Sequence, residues 1–299
     1  MVLVRILIGA LITAGAVFLV RWMLEARDIS ATGGAPAPTP LNLVIGFVTN
    51  FFDTLGIGSF ATTTAAFRLF HVVPDELIPG TIIVGDALAV LTQAVLFISV
   101  VAVDPLQMTA LIVVCVAGGW IGAGIVTSLS RRAIQLGIGA ALLVAVAFMA
   151  FSLFGWTPSG GGSAISLTPA AFVVALTINC ALGALLPLGI GNYAPSLVMF
   201  SVLGMDPKAA FPIMMGSGAF VATVAGVRFL SARRFHQQAA LGLALGGIPG
   251  VMAAVWLVKS LPLEALRVLV LAVVAYVSFT LLRSGIRANA EVAVPAVDR

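Results

Sequence analysis

Charge is the scarcest property of this chain. Asp, Glu, Lys and Arg make up 9% of its 299 residues, against 61% hydrophobic. A soluble domain of that composition would carry far more apolar surface than its core could hide, which leaves the lipid bilayer as the solvent. Lysine is nearly absent, with 2 residues against 13 arginines, so the net charge of +4 is an arginine signal. In an apolar chain such residues mark cytoplasmic loops, and nucleic-acid binding is excluded as a reading. The two cysteines, Cys115 and Cys180, stand singly in apolar segments without the close spacing of a metal or redox motif and read as core residues. His71 and His236 fall at segment ends with no second ligand at helical spacing, so no metal is expected, and no cofactor either. Long polar stretches are missing, which leaves no room for a separate soluble domain. Also absent are His-Glu-x-x-His, Gly-x-Ser-x-Gly and a pair of catalytic carboxylates, so the chain does not read as an enzyme.

What the chain does have is a repeated interruption. Leu55-Gly56-Ile57-Gly58-Ser59-Phe60-Ala61 breaks an apolar stretch where an unbroken membrane helix would be expected, and a shift of 133 positions lays Leu188-Gly189-Ile190-Gly191-Asn192-Tyr193-Ala194 on top of it. The match continues without a gap through Phe67/Phe200, Pro74/Pro207, Pro79/Pro212, Gly85/Gly218 and Ala89/Ala222, ten identities between positions 55 and 89. Paired interruptions at matching places in two halves of an apolar chain point to the substrate site of a secondary transporter. A further echo sets Gly118-Gly119-Trp120-Ile121-Gly122 against Gly246-Gly247-Ile248-Pro249-Gly250, small residues that let helices approach closely.

The expected fold is an all-α polytopic membrane protein. An N-terminal transmembrane helix over residues 1–30 reads as an anchor, because no small-x-small cleavage site follows its apolar core closely. A linker at 31–40, rich in proline and glycine, leads into repeat 1 at 41–155, with a broken element at 41–70 and spans at 79–103, 107–129 and 132–155. A Gly/Ser-rich, flexible connector at 156–167 precedes repeat 2 at 168–284, with a broken element at 168–204 and spans at 210–232, 236–258 and 263–284; residues 285–299 form a cytoplasmic tail.

Charge decides whether the broken elements cross or re-enter. If both cross, the basic residues outside the membrane, Arg228 set aside, divide evenly and no orientation follows. If both are re-entrant hairpins, Arg21, Arg27, Arg68, Arg131, Arg132, Arg233, Arg234, Arg283, Arg287 and Arg299 share one side, against Arg5, Lys208, Lys259 and Arg267. Ten against four is a positive-inside pattern. Each half then has three crossings, so the two repeats are inverted. Re-entrant backbone is tolerable only where protein or a watery cavity surrounds it, which places both glycine turns at a central site.

The doubled glycine-broken helix, the Gly-Ile-Gly turns with a polar residue following and the downstream prolines resemble the sulfite exporter family of bacterial membrane proteins, the TauE/SafE-like permeases. The resemblance covers roughly residues 41–284. It implies export of small sulfur-containing anions, sulfite or short organosulfonates, by a multi-pass protein of the bacterial inner membrane. An anion channel using the same helix termini is the alternative, and a homodimer is among the assemblies allowed.

Beside the family, the residues themselves suggest an anion site. A helix restarting after each glycine turn points unpaired N–H groups and partial positive charge at the turn. The candidate binding residues are Gly56, Gly58, Ser59, Thr62 and Thr63 at the first turn, with Thr64 close by, and Gly189, Gly191, Asn192, Tyr193 and Ser196 at the second. Against this stands the simpler reading that the hydroxyls and Asn192 only cap helices. Asp53 and Asn50 share a face of the incoming half-helix, and Asp53 offers either proton coupling or a structural bond to free backbone N–H groups. Asp86 and Gln93 share a face of the next span, with Asp86 placed to bridge to an arginine; Asp53, Asn50, Asp86 and Arg228 are the candidates for coupling. Arg228, near Arg233-Arg234, either snorkels to the surface or turns inward and draws anions.

Overall fold

Helix starts are written as Thr-Pro or Asp-Pro. In the computed structural model, which describes residues 2–31, 37–55, 58–153, 164–188 and 192–257 together with 275, 278–279, 282–283 and 286, four helices open on a proline, whose missing N–H costs nothing in a first turn. These are α2 (Pro40–Thr54), α5 (Pro105–Val126), α7 (Pro169–Leu185) and α9 (Pro207–Ser231). Thr39, Asp104 and Asp206 cap three of them, accepting from the N–H groups of Asn42 (3.2 Å), Gln107 (2.8 Å) and Lys208 (2.8 Å). The remaining helices are α1 (Val2–Ala31), α3 (Ser59–Leu69), α4 (Ile78–Val100), α6 (Arg131–Leu153), α8 (Tyr193–Val202) and α10 (Gln237–Leu257). Among the described residues there is no strand, only an isolated bridge between Ala164 and Met205.

Length separates two kinds of helix. Five stretches among the described residues are long and apolar enough to cross a bilayer: Val2–Arg27, Asp75–Val100, Pro105–Val126, Lys208–Ser231 and Gln237–Trp256. The chain is thus a multi-pass membrane protein. By contrast α2, α3 and α8 have 15, 11 and 10 residues; at about 1.5 Å per residue none covers the roughly 30 Å of a hydrocarbon core. Most of the last expected span, and the tail beyond 286, lie outside the described residues.

Packing crosses between the halves. At the centre α4 lies along α9, and each half contributes a glycine-lined helix that seats the broken helix of the other: α10 carries α2, and α5 carries α7. A methyl group on Gly246 or Gly250 would meet the carbonyl of Leu43 or Phe47 on α2, and one on Gly118 or Gly122 would meet that of Cys180 or Ala184 on α7. In both places a glycine pair four residues apart faces a carbonyl pair four residues apart, the close approach expected from the small-residue echo. The matched residues Phe67 and Phe200 are both fully buried. Helix α1 is laid over α4 and α9 and adds Leu7, Leu11, Phe18 and Trp22 to the buried core, with Phe18 against Gly226 and Leu91 against Gly15.

Loop contacts gather the helix ends into two sets. One set joins the Trp22 indole to Gln237 (2.9 Å), His236 N–H to the Thr81 hydroxyl (2.9 Å), Gln238 to the Ala37 carbonyl (2.8 Å) and Arg234 to the Leu129 carbonyl (2.7 Å). Arg68 belongs here, ion-paired with Asp75 at 2.9 Å, to which Gln135 also donates (2.8 Å). Burial lowers the His236 imidazole below its usual range, in keeping with Nδ1 accepting from the Ala239 N–H (3.3 Å) at the start of α10. Residues Ala164–Leu167 anchor the other set. Ala164 and Ile165 carbonyls accept from Asp206 N–H (2.8 Å) and Asp104 N–H (3.0 Å), while Gln107 and the Leu167 backbone exchange two bonds (2.7 and 2.9 Å). Over this end of the expected connector, backbone groups pair with the loops before α5 and α9; residues 154–163 lie outside the described set. The linker expected at 31–40 is also shorter, since Ala31 ends α1 and Pro40 begins α2.

Candidate functional site

The first break rests on a backbone turn that favours glycine. Between Thr54, the last residue of α2, and Ser59, the first of α3, stands Gly58 with φ +92°, a region strained for any residue with a Cβ; Gly56 and Ile57 lie outside the described residues. Gly58 has no side chain to cap α3. Asp53 does it instead, from the last turn of α2: its Oδ1 accepts from the Ser59 N–H at 2.6 Å, a charge-assisted bond at the positive end of a helix. Its Oδ2 accepts from Gln93 Nε2 of α4 at 2.9 Å, and Gln93 donates also to the Thr54 hydroxyl at 3.0 Å. One buried carboxylate therefore ties the end of α2, the start of α3 and the middle of α4. Of the two roles open to Asp53, the structural bond to a free N–H is the one the geometry contains.

One turn earlier, Asn50 Nδ2 donates to the Gly46 carbonyl and to Asp86 Oδ1, both at 3.0 Å. The expected bridge from Asp86 to an arginine is not formed. The arginines of the neighbouring helices sit at helix ends, Arg68 on Asp75 and Arg228 elsewhere, and the carboxyl meets an amide instead. Asp86 Oδ2 and Asn50 Oδ1 are buried and have no hydrogen-bond partner among the described residues.

Hydroxyl groups divide into two populations. Most threonines in these helices bond back to the carbonyl four residues before, as Thr49, Thr54, Thr81, Thr92 and Thr223 do, which is the usual resource of a hydroxyl in an apolar medium. Thr62 belongs with them, bonded to the carbonyls of Gly58 (3.1 Å) and Ser59 (2.9 Å). The hydroxyls of Thr63, Thr64, Ser196 and Ser217 do not: all four residues are fully buried, and the oxygens have no partner among the described residues.

At the second break α7 ends at Leu185, a single tight turn covers Leu186–Leu188, and α8 begins at Tyr193. Gly189, Ile190 and Gly191 lie outside the described residues, as does the Tyr193 side chain. Asn192 is buried; its carbonyl accepts from the Ser196 N–H at 3.0 Å and its amide donates to the Met214 carbonyl of α9 at 3.4 Å. Arg228 takes neither of its expected places. Its guanidinium lies 3.8 Å over the ring of Trp120 on α5, against Gly124, a cation–π contact that packs α9 on α5.

The residues brought together are thus Asn50, Asp53, Ser59 and Asp86, joined by Thr54 and Gln93. Sequence reasoning does not single out Thr54, Ser217 or Trp120. Ser217 carries a signal all the same, standing between Gly216 and Gly218, the latter matched to Gly85 in the other half. The family model described as Sulfite exporter TauE/SafE matches residues 41–281, which leaves α1 outside the match. Neither a search of curated proteins nor one of solved structures finds a match.

Proposed function

Because the chain belongs to the sulfite exporter TauE/SafE family, we propose that it is a secondary transporter moving a small sulfur-containing anion, sulfite or a short organosulfonate, out across the cytoplasmic membrane of a bacterium. The family consists of membrane transporters, not enzymes.

We infer that the two halves are inverted repeats, each opening with a re-entrant hairpin. The ends of α2 and α3 support this: Ala37, before α2, and Asp75, after α3, both belong to the set of helix ends that holds His236 and Leu129. Residues Ala164–Leu167, before α7, and Met205–Asp206, after α8, both belong to the other set. The set with Arg68, Arg131, Arg132, Arg233 and Arg234 is assigned to the cytoplasm by the positive-inside rule. A cysteine at Ala232 should then react with an impermeant maleimide only from the cytoplasmic side, and one at Lys208 only from the outside. Labelling of both from one side would overturn the inverted arrangement.

The observation that carries the transport reading is the pair Thr63 and Ser196. They sit at equivalent places, 133 positions apart, in the half-helices α3 and α8, and both have buried hydroxyls without a partner among the described residues. Leaving a buried hydroxyl unpaired costs about 1–3 kcal/mol, so two matched instances suit donors kept free for a ligand's oxygens. The α3 N-terminus is a weaker anion seat than the bare sequence suggests, since the Asp53 carboxylate already occupies it; side-chain hydroxyls therefore carry more of the binding. Each bond to a charged ligand contributes about 1.5–3 kcal/mol, so Thr63→Val and Ser196→Ala should each weaken sulfite binding by roughly one to two orders of magnitude. Calorimetry on purified protein measures this, and unchanged affinity in both variants would remove these hydroxyls from the site. Flux into proteoliposomes that saturates with sulfite fits a carrier; ohmic single-channel current would make the protein an anion channel.

A further inference from the structure

Among the described residues, the cluster beside the first break contains two carboxylates and no cation. Asp53 on α2 and Asp86 on α4 are electrostatic neighbours, both buried. The described helices around them offer no compensating charge. On α3 the basic residue is Arg68, paired with Asp75; on α9 they are Lys208 in the first turn and Arg228 on Trp120; Gln237–Leu257 of α10 contains no titratable residue. The ionisable residues of α1 are Arg5 near its start and Arg21, Glu25, Arg27 and Asp28 near its end.

The two acids are bonded differently. Asp53 receives an N–H on each oxygen, one of them from the positive end of α3. Asp86 receives one N–H on Oδ1, and its Oδ2 has no hydrogen-bond partner among the described residues, with the Ser59 hydroxyl at the start of α3 close to the carboxyl. Asn50 Oδ1, on the residue that bonds Asp86, is a second buried acceptor without a partner among the described residues. Two vacant buried acceptors call for something positive. A metal cation would need several more oxygen ligands than these two; a proton needs one.

Resting on the transport reading, we propose that Asp86 is the proton carrier of the transport cycle, binding one proton on Oδ2 and releasing it in each turnover, while Asp53 is a fixed structural carboxylate. The bond from Asn50 is the element the proton acts on. With Asp86 ionised, that bond is charge-assisted and holds α2 to α4; with Asp86 protonated, it becomes an ordinary neutral bond and the hold loosens. Neither acid is required by the repeat, since Asp53 corresponds to Leu186 and Asp86 to Ala219 in the second half. An acid that the architecture does without in one half, and that in the other leaves one buried oxygen unpaired among the described residues, is placed for a transported proton.

Two measurements on the full chain test this. Infrared difference spectra of the purified protein, titrated across a wide pH range, should show a protonated-carboxyl C=O band that is lost in Asp86→Asn and kept in Asp53→Asn; a band that survives in Asp86→Asn overturns the proposal even if that variant moves no anion. In proteoliposomes with an internal pH dye, sulfite flux by the parent protein should move protons, and Asp86→Asn should move one fewer per sulfite. Proton movement unchanged in Asp86→Asn, or sulfite flux driven by sodium with no proton movement, also overturns it while leaving the transport reading intact. If the parent moves no sulfite under any gradient but its carboxyl band behaves as stated, it is the transport reading that fails.

Discussion

Alanine at Gly118, Gly122, Gly246 or Gly250 is expected to destabilise the protein by about 1–3 kcal/mol per site, the usual cost of overpacking a tight interior, and leucine at any of them to prevent folding. The reason is what each new Cβ would strike. It meets a backbone carbonyl, of Cys180, Ala184, Leu43 and Phe47 respectively, not the end of a side chain that could swing aside. Relief therefore requires a whole helix to withdraw, and with it every contact that α7 makes on α5, or α2 on α10. The two crossings are separate, so one alanine at each should add up with little coupling. Gly9→Ala is the control, since nothing lies within 4 Å of its added methyl. Heating in detergent followed by size-exclusion would rank the variants; four crossing alanines as stable as the parent would mean that these helices do not approach as closely as described.

Asp53→Ala should be the most damaging single change near the break. The Ser59 N–H loses a charged acceptor at 2.6 Å and Gln93 loses one of its acceptors, a loss of about 2–4 kcal/mol from a total stability of about 5–15 kcal/mol. Sulfite flux should fall with it, because α3 then has neither a side-chain cap nor a tie to α4. Asp53→Asn keeps an acceptor for the Ser59 N–H and should recover part of the stability. Equal melting of Asp53→Ala and the parent would show that the carboxylate does not hold the break together.

Much of this could be read from the residues because bilayers impose simple rules. Run length separates spans from half-helices, and Gly58 marks a break whatever surrounds it. Asp53 was legible down to two alternatives, since a carboxylate near unpaired N–H groups has one obvious local use. What stayed hidden depends on distant partners. Nothing local to Asp86 says that Asn50, 36 positions away, will reach it before any arginine does. The stacking of Arg228 on Trp120 needs α9 laid against α5. The anchoring of Ala164–Leu167 needs two loops that the chain places 60 residues before and some 40 after. Thr63 and Ser196 look like any helical hydroxyl until the back-bonding of their neighbours shows that theirs is missing.

The exchange of broken helices between halves also sets an order of events during synthesis. About 180 residues separate the end of α2 from the start of α10, the helix that seats it. At ribosomal speeds of about 5–20 residues per second, the first broken helix waits roughly 10–40 s for its seat. Its polar groups must be sheltered meanwhile by the insertion machinery or held short of full entry, whereas α7 emerges with α5 already in place. Biogenesis is therefore lopsided even if the finished halves are alike. Neither half made alone has a seat for its own broken helix, yet two separately expressed halves, each missing what the other supplies, contain between them everything needed to assemble.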